Sequence, residues 1–558
     1  MTESQTVSRA TDFPVEWANP EEARLFWTRE MMHFPEPIGP LTETFEVAAL
    51  GDGMERALVD YSLPIAMPHR VLNGYVYSAA APRSTDPGVL ADLGHQAEGK
   101  MRTGAQTFES DWKETYLPEL ERDVAAHRAF DYDSASDADL ARHVAWTIDR
   151  RFRHYHIHFS ALAPGFPVST LFIDTYTQLT GSTDEMEPHV LLQGLQNKTV
   201  EGGHALWRLS RLAKKSASVR QAIDEAPPEQ LFQRLEQSPE GREFASAFRA
   251  FLDEFGWRGD SWNMDDRTWV SYPKTPQYTL RAYLLQPDEA SPELAHARLA
   301  AERERALAAV RERLSGAPVE ERAQFEGLLR AMQFANQVQE DHNYIIDQKL
   351  QHLSRRAFVE AGKMMVARGQ IEDAEDVLFL TTDELRSQAD RAGAEDLRPV
   401  IVRRRADRAR QAAMTPPPAI GTPPPPPPPG YVPSPFEVAM MRFFGAPPQA
   451  SSATEIRGNA GSRGKVSGIA RVAMTLADAT GLQPGEILVC PTTAPPWTPL
   501  FATAAAVVTD TGGILSHCAI VAREFGIPAV VGTGVGTQRI RTGQRVTVDG
   551  SAGTVTLG

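Results

Sequence analysis

Between Thr415 and Pro435 the chain runs through Pro416-Pro417-Pro418 and then seven consecutive prolines, Pro423 to Pro429. A stretch so poor in backbone donors cannot extend a helix or a sheet ladder, and it prefers polyproline geometry at about 3.1 Å per residue. It reads as a semi-rigid spacer. The chain is therefore expected to divide into a unit over 1–412, a proline-rich linker over 413–436 and a unit over 437–558 whose core starts near 455. A plain surface linker, or a ligand for an SH3-type module, is the other reading of the prolines.

The 558 residues with 42% apolar content suffice for about three compact units with real cores. Cys490 and Cys518 are the two cysteines. They form neither a disulfide framework nor a zinc-type cluster, so a reducing, cytoplasmic setting is expected. Met1 to Pro14 is polar and has no apolar signal core, and no run approaches membrane-spanning length. The net charge of -15 argues against nucleic-acid partners, which need a basic face. From Glu455 onward there are eight Lys or Arg and six Asp or Glu, so the acidic excess lies upstream.

Upstream of the prolines, apolar residues recur at three and four over Asp137 to Ser160, Glu201 to Ala226, Glu240 to Phe255, Pro292 to Leu314 and Val319 to Arg368. The spacing predicts a mainly helical body. Interleaved Arg and Glu over Ala297 to Leu314 read as a solvated face with intrahelical pairs, as do Arg403-Arg404-Arg405, Arg408 and Arg410. Three places in the body bear chemistry. His154 and His158 lie one turn apart, a spacing that can grip a metal or contact a phosphate, but no HExxH-like glutamate accompanies them, so a structural or substrate-lining role is expected and no metal site. The loop Phe255 to Trp262 carries Arg258, placed to meet a phosphate or to form an ion pair. Gln339-Glu340-Asp341-His342-Asn343-Tyr344 sits on a long helix, with Glu340 and Asn343 on one face. Trp257, Trp262, Trp269, Tyr272, Tyr278 and Tyr283 suit either packing or a flat phenolic guest.

Beyond the prolines, Ala504 to Val508 is an apolar strand, Gly512-Gly513 turns the backbone, and a helix starts near Ser516. Gly526 and Pro528 end it, and Ala529 to Val531 form the next strand. His517 thus falls in the first helical turn. Free N–H groups and the helix dipole there favour an anion and disfavour the imidazolium, which leaves a nitrogen free as nucleophile. An ordinary strand-to-helix turn, with His517 a surface or core residue, is the alternative; Cys518 beside it reads as a small buried filler rather than a second nucleophile.

Gly512 to Gly532 resembles the phosphohistidine signature of the mobile, or swivelling, domain of the phosphoenolpyruvate-utilising enzymes. Gly464 to Gly468, Pro484 to Val489, Pro495-Pro496-Trp497-Thr498-Pro499-Leu500 and Val548-Asp549-Gly550 resemble its other elements. The resemblance implies that His517 carries phosphate, with Gly512, Gly513 and Ser516 around it and Arg523 as a charge partner. It also gives the spacer a purpose, since a tether lets His517 move between two sites. The body resembles the central, substrate-binding domain of the rifampicin phosphotransferase type, through Phe34 to Leu41, Gly256 to Gly259, Glu340 to Tyr344, Gly369 to Ile371 and Glu375 to Leu380. That likeness makes Glu340 or His342 a general base and Arg258, Asn343, His154 and His158 substrate-binding candidates. The antibiotic enzymes tend to have arginine and lysine where this chain has Gln339 and Asn343, which argues against rifamycin as acceptor.

No GxxxxGK[ST] loop and nothing resembling an ATP-grasp module is found, so the arrangement is most similar to the histidine-bearing subunit of phenylphosphate synthase-type enzymes. The fold expected is multidomain, a mainly α-helical substrate-binding body plus a C-terminal α/β swivelling phosphohistidine domain. The resemblance implies a separate ATP-grasp partner, Mg²⁺ with the ATP, and transfer to a small phenolic or alcohol hydroxyl, giving a phosphate ester, AMP and phosphate. Charging by phosphoenolpyruvate, or a non-catalytic regulatory role, stays open. A closed pocket facing His517 separates an enzyme from the latter.

Overall fold

The computed structural model describes residues 13–558 apart from 185, 260, 391–394, 426, 427, 429, 434, 446–450, 480, 495 and 496. Among the features named above, Met1 to Asp12, Asp260, Pro426, Pro427, Pro429, Pro495 and Pro496 lie outside the described residues.

The expected fold class holds: a helical body is followed by a C-terminal α/β unit. The body is built on α1 (Ala48–Asp60), α2 (Asp137–Leu162), α3 (Gly165–Thr180), α4 (Lys198–Lys214), α5 (Ala217–Glu225), α6 (Pro239–Phe255), α7 (Pro292–Arg313), α8 (Val319–His342) and α9 (Gln351–Ala367). Two spans read as single helices are divided. Ser216 accepts the N–H of Val219 and caps a new helix, so α4 and α5 are distinct. Between α8 and α9 the winding widens to a π-helix over Asn343–Leu350. Where α1 crosses α2, Gly53 permits a contact that a Cβ would close, at 2.5 Å from the Tyr155 carbonyl carbon. No helix among the described residues is long and apolar enough to cross a membrane.

The arginine-rich stretches act between elements, not within helices as expected. Arg311 of α7 pairs with Glu326 of α8, Arg313 with Glu187, and Arg404 with Glu384. Arg405 pairs with Asp376 and Arg408 with Asp265. Arg410–Asp407 and Arg303–Glu304 are pairs that do lie within one helix.

The body also holds a four-stranded antiparallel sheet that helical periodicity does not announce. Its strands are β1 (Trp27–Arg29), β2 (His69–Leu72), β3 (Tyr75–Ala79) and β4 (Ala419–Ile420), in the order β2-β3-β1-β4. Here the linker boundary at 413 needs correction. Arg29 donates its N–H to the Pro418 carbonyl at 3.0 Å, and the Tyr77 hydroxyl donates to Pro417 O at 2.8 Å. An edge strand tolerates neighbouring prolines, so the first prolines, up to Ile420, are fastened to the body. The spacer leads into α10 (Pro435–Phe444), which lies against α3 with Phe443 edge-on to Phe166, centroids 5.7 Å apart.

The C-terminal unit is an eight-stranded sheet of β5 (Glu455–Arg457), β6 (Asn459–Ser462), β7 (Lys465–Val472), β8 (Ile487–Cys490), β9 (Ala506–Thr509), β10 (Ala529–Val531), β11 (Arg545–Asp549) and β12 (Thr554–Leu557). The order is β5-β12-β11-β7-β8-β9-β10-β6. β7 to β10 run parallel, and β8, β9 and β10 are buried along their whole length, as continuous apolar strands of a covered parallel sheet must be. The unit docks on the body through Arg463–Asp184 at 2.5 Å, Gln286 Nε2 donating to Ala502 O at 2.9 Å, and the Gly194 N–H donating to Glu524 at 3.0 Å.

Candidate active site

After β9 the chain turns through Gly512, whose φ of +105° suits glycine, and enters α11 (His517–Phe525). Gly513 lies so close to α10 that an added Cβ would fall 2.0 Å from the Arg442 carbonyl oxygen. Its N–H donates to Phe443 O at 2.8 Å, and Ser516 donates its hydroxyl back to Gly513 O at 2.7 Å. These three residues, expected around a phosphate, here shape and anchor the turn. Because Ser516 points away, no side chain caps α11, and its first-turn N–H groups face whatever anion approaches. Arg523 is also differently employed. Its Nη1 donates to Gly461 O at 2.8 Å and Ile514 O at 2.9 Å, so it fastens the turn to β6.

His517 opens α11 and is 8% exposed. Its Nδ1 lies 3.1 Å from Thr493 Oγ1 and its Nε2 3.3 Å from Thr498 Oγ1. Burial pushes the imidazole down to about 3, so the ring is neutral at physiological pH. One nitrogen then donates to a threonine and the other accepts from the second. Cys518, 3% exposed, sits in the apolar core with its thiol pushed up to about 12 by burial, as inert filler does.

Thr498 also borders a cavity of about 20 Å³ between the two units, shared with Thr199, Gly202, Gly203, Arg258 and Trp269. That is room for a single water, so the docked arrangement is closed against a substrate. A separate apolar cleft of about 1580 Å³, walled by Met67, Met101, Leu171, Phe334, Met440 and Met441, shares no lining residue with it.

Arg258 gives the small cavity its character. It lies 4.9 Å from the Trp269 ring centroid, its Nε has no hydrogen-bond partner, and no carboxylate among the described residues pairs with it. Burial lowers it to about 10, still charged at neutral pH. An unpaired buried guanidinium is costly unless an anion joins it, and its planar fork suits a phosphoryl group. Thr199 donates its hydroxyl to Glu340 Oε2 at 2.7 Å. Burial pushes Glu340 up to about 7, with the neighbouring Asp341 charge adding and the Thr199 bond opposing. A carboxyl balanced near neutrality is suited to general-base work.

The remaining candidates do not join this site. His154 is bound to Asp123 at 2.9 Å, beside the Arg150–Asp123 pair, as a buried brace between helices. His342 bonds its own helix at Val338 O and faces His158 and Asp347. Asn343 accepts from Gln348 at 2.7 Å across the π-helical turn. Trp262 and Tyr283 are core residues, whereas Trp269 is a wall of the cavity. Thr493, Thr498 and Thr199 carried no signal as separate residues, although Thr498 lies inside the Pro495 to Leu500 motif.

Glu524, on α11, was also silent in the sequence. Burial against the body pushes its carboxyl up to about 8, offset in part by the Gly194 N–H and by Arg523. The docked form therefore holds a proton that an exposed carboxyl would release. Docking is strongest below the ordinary carboxylate range, weakens as pH rises, and levels off above about 8. Fluorescence transfer between dyes on the two units is expected to fall over that interval, and Glu524→Gln to flatten the response. An identical profile in that variant would dismiss Glu524 as its source.

A helical body clasps an α/β unit that presents a neutral histidine at a helix mouth, where an anion is favoured. Residues 482–553 match the family described as PEP-utilising enzyme, mobile domain, and residues 158–340 match the rifampicin phosphotransferase fourth domain. The chain thus joins a PEP-utilising mobile domain to a rifampicin phosphotransferase fourth domain. It is 37% identical over 557 residues to chondramide synthase cmdD of Chondromyces crocatus, covering 98% of this chain and 14% of that protein. It is 28% identical over 548 residues to the uncharacterized phosphotransferase YvkC of Bacillus subtilis (95% and 62%). Against a rifampicin phosphotransferase of Streptomyces sp. the identity is 31% over 374 residues (66% and 40%). The chain therefore spans between 14% and 62% of the length of these relatives.

Proposed function

We propose that this chain is a phosphotransferase that receives phosphate on His517 and passes it to a hydroxyl held against the helical body. The observation that carries the reading is the grouping of a neutral His517, an Arg258 with no carboxylate partner among the described residues and a near-neutral Glu340 around one cavity and its threonines. The PEP-utilising mobile domain and the phosphotransferases among the relatives support it.

In this scheme the donor is ATP, bound with Mg²⁺ on a separate ATP-grasp unit. A ring nitrogen of His517 attacks the β-phosphorus and takes the βγ-pyrophosphoryl group as AMP leaves. Water then removes the γ-phosphate as inorganic phosphate. Back at the body, with the units parted far enough to admit the acceptor, its hydroxyl attacks the remaining phosphohistidine, Glu340 takes its proton, and the P–N bond breaks to give the ester and free His517. Arg258 steadies the charge on the transferring phosphoryl group. Arg258 is the charged residue in the cavity's lining, so the cavity does not fit a magnesium ion, and Mg²⁺ is assigned to the donor unit. Phe251, Phe255 and Trp269, facing Gly202 and Gly203, leave a flat apolar gap suited to a phenol or similar alcohol once the units part. Cytoplasmic action follows from the ATP requirement.

The test is label transfer with an ATP-grasp protein added. Phosphate from [β-³²P]ATP is expected on His517 as an acid-labile label, with AMP released. Label from phosphoenolpyruvate with release of pyruvate would replace ATP as donor, and no acid-labile label from either would sink the phosphohistidine scheme.

A further inference from the structure

Close to Glu340 along the chain, the body contains a second cluster that the phosphoryl scheme leaves unused. His158, near the end of α2, meets His342, the last residue of α8, and Asp347, within the π-helix. One nitrogen or oxygen atom from each lies within 4.8 Å of the other two. His158 Nδ1 is 3.2 Å from Asp347 Oδ1, and His342 Nε2 is 3.8 Å from Asp347 Oδ2. The two imidazole rings stand at 80° with centroids 4.5 Å apart.

The hydrogen bonding of this cluster does not close. His342 Nδ1 lies 2.7 Å from the Val338 carbonyl, a contact that requires the proton on Nδ1 and leaves Nε2 turned to Asp347. At 3.8 Å that approach is too long for a hydrogen bond. Asp347 has a fully buried side chain, and its Oδ2 has no partner. Arg151, the nearby cation, is committed to Glu46 at 2.6 Å and to the Ile346 carbonyl at 2.8 Å. A buried carboxylate oxygen facing an imidazole nitrogen, with no proton between them, is an expensive arrangement unless a cation lies there.

We propose that His158, His342 and Asp347 bind one divalent ion of the zinc class. Tetrahedral ligands about 2.0–2.1 Å from zinc lie about 3.3 Å apart, so the three donor atoms, now within 4.8 Å of one another, would draw together on an ion. The bond from His342 Nδ1 to a backbone carbonyl is the outer support that metal-ligating histidines characteristically have. Two imidazoles and one carboxylate favour zinc over magnesium or calcium. The ion joins α2 to the junction of α8 and the π-helix, just beyond Glu340, and leaves a fourth position for water. Its role is to position the turn that carries the base.

Metal analysis of the full-length protein, purified without a metal-affinity step, is expected to find about one zinc per chain. After chelation, Co²⁺ alone should restore one equivalent with visible d–d bands, and folded Asp347→Asn and His342→Ala should bind neither ion. Wild-type protein that takes up neither Zn²⁺ nor Co²⁺, or folded variants that bind them as before, would overturn the assignment. Should the variants fail to fold, X-ray absorption of the zinc-loaded wild type decides. Two imidazoles and a carboxylate around zinc support the site, and sulfur ligation or water alone rejects it.

Discussion

Alanine at position 517 is expected to abolish phosphate-ester formation, by a factor on the order of 10⁴ or more, while the chain stays folded. In the proposed route the imidazole is the covalent carrier, and no neighbouring group can take over. Cys518 is the nearest alternative nucleophile by sequence, but its thiol is held protonated by burial. Thr493 and Thr498 remain able to satisfy each other's hydroxyls through a water in the vacated space, so circular dichroism and the melting temperature should change little. Turnover by His517→Ala near the wild-type rate, measured as ester produced per minute, would falsify the carrier role.

Glutamine in place of Glu340 is the second large effect, a fall of roughly 10² to 10⁴ in the rate of transfer to the acceptor. Loading of His517 should be untouched, because Glu340 belongs to the body and acts only on the acceptor hydroxyl. The wild-type transfer rate should drop as pH falls below about 7, since the base must be ionised and burial holds Glu340 at about that value. In Glu340→Gln that acidic limb should vanish along with most of the rate. Single-turnover chase of phosphorylated protein with an accepted alcohol reads both, and an unchanged pH profile in the variant would assign the base elsewhere.

The parts of this site that were legible are those whose chemistry is local. Gly512-Gly513, the helix stop at Gly526 and the strand Ala529 to Val531 are written in consecutive residues, so the placing of His517 at the head of α11 could be read directly. Arg258 and Glu340 were visible as candidates, but their pairing states depend on burial from three separate segments. The threonines around His517 show no pattern at all, because a hydroxyl becomes a partner only when tertiary packing delivers it.

Asp347 shows another limit. It lies five positions beyond His342, a spacing that an α-helix sends to different sides, and the wider π-helical turn returns them to one. The N-terminal sheet did leave a trace in Asn73-Gly74, where positive φ at both residues forms the tight turn between β2 and β3. Its strands β1 to β3 are only three to five residues long, too short for alternation to stand out against the helices. The proline stretch misled in the opposite direction, since composition conceals an edge strand two residues long.

That edge strand sets the length of a leash. With Ile420 sewn to the rim of the body, positions 421 to 434 can extend over no more than about 45 Å in polyproline form. Any station at which the histidine is charged must fall inside the sphere so drawn, enlarged by the girth of the travelling unit. In the proposed scheme the charging unit, whether a second protein or another part of a longer chain, must therefore approach this body rather than wait at a distance.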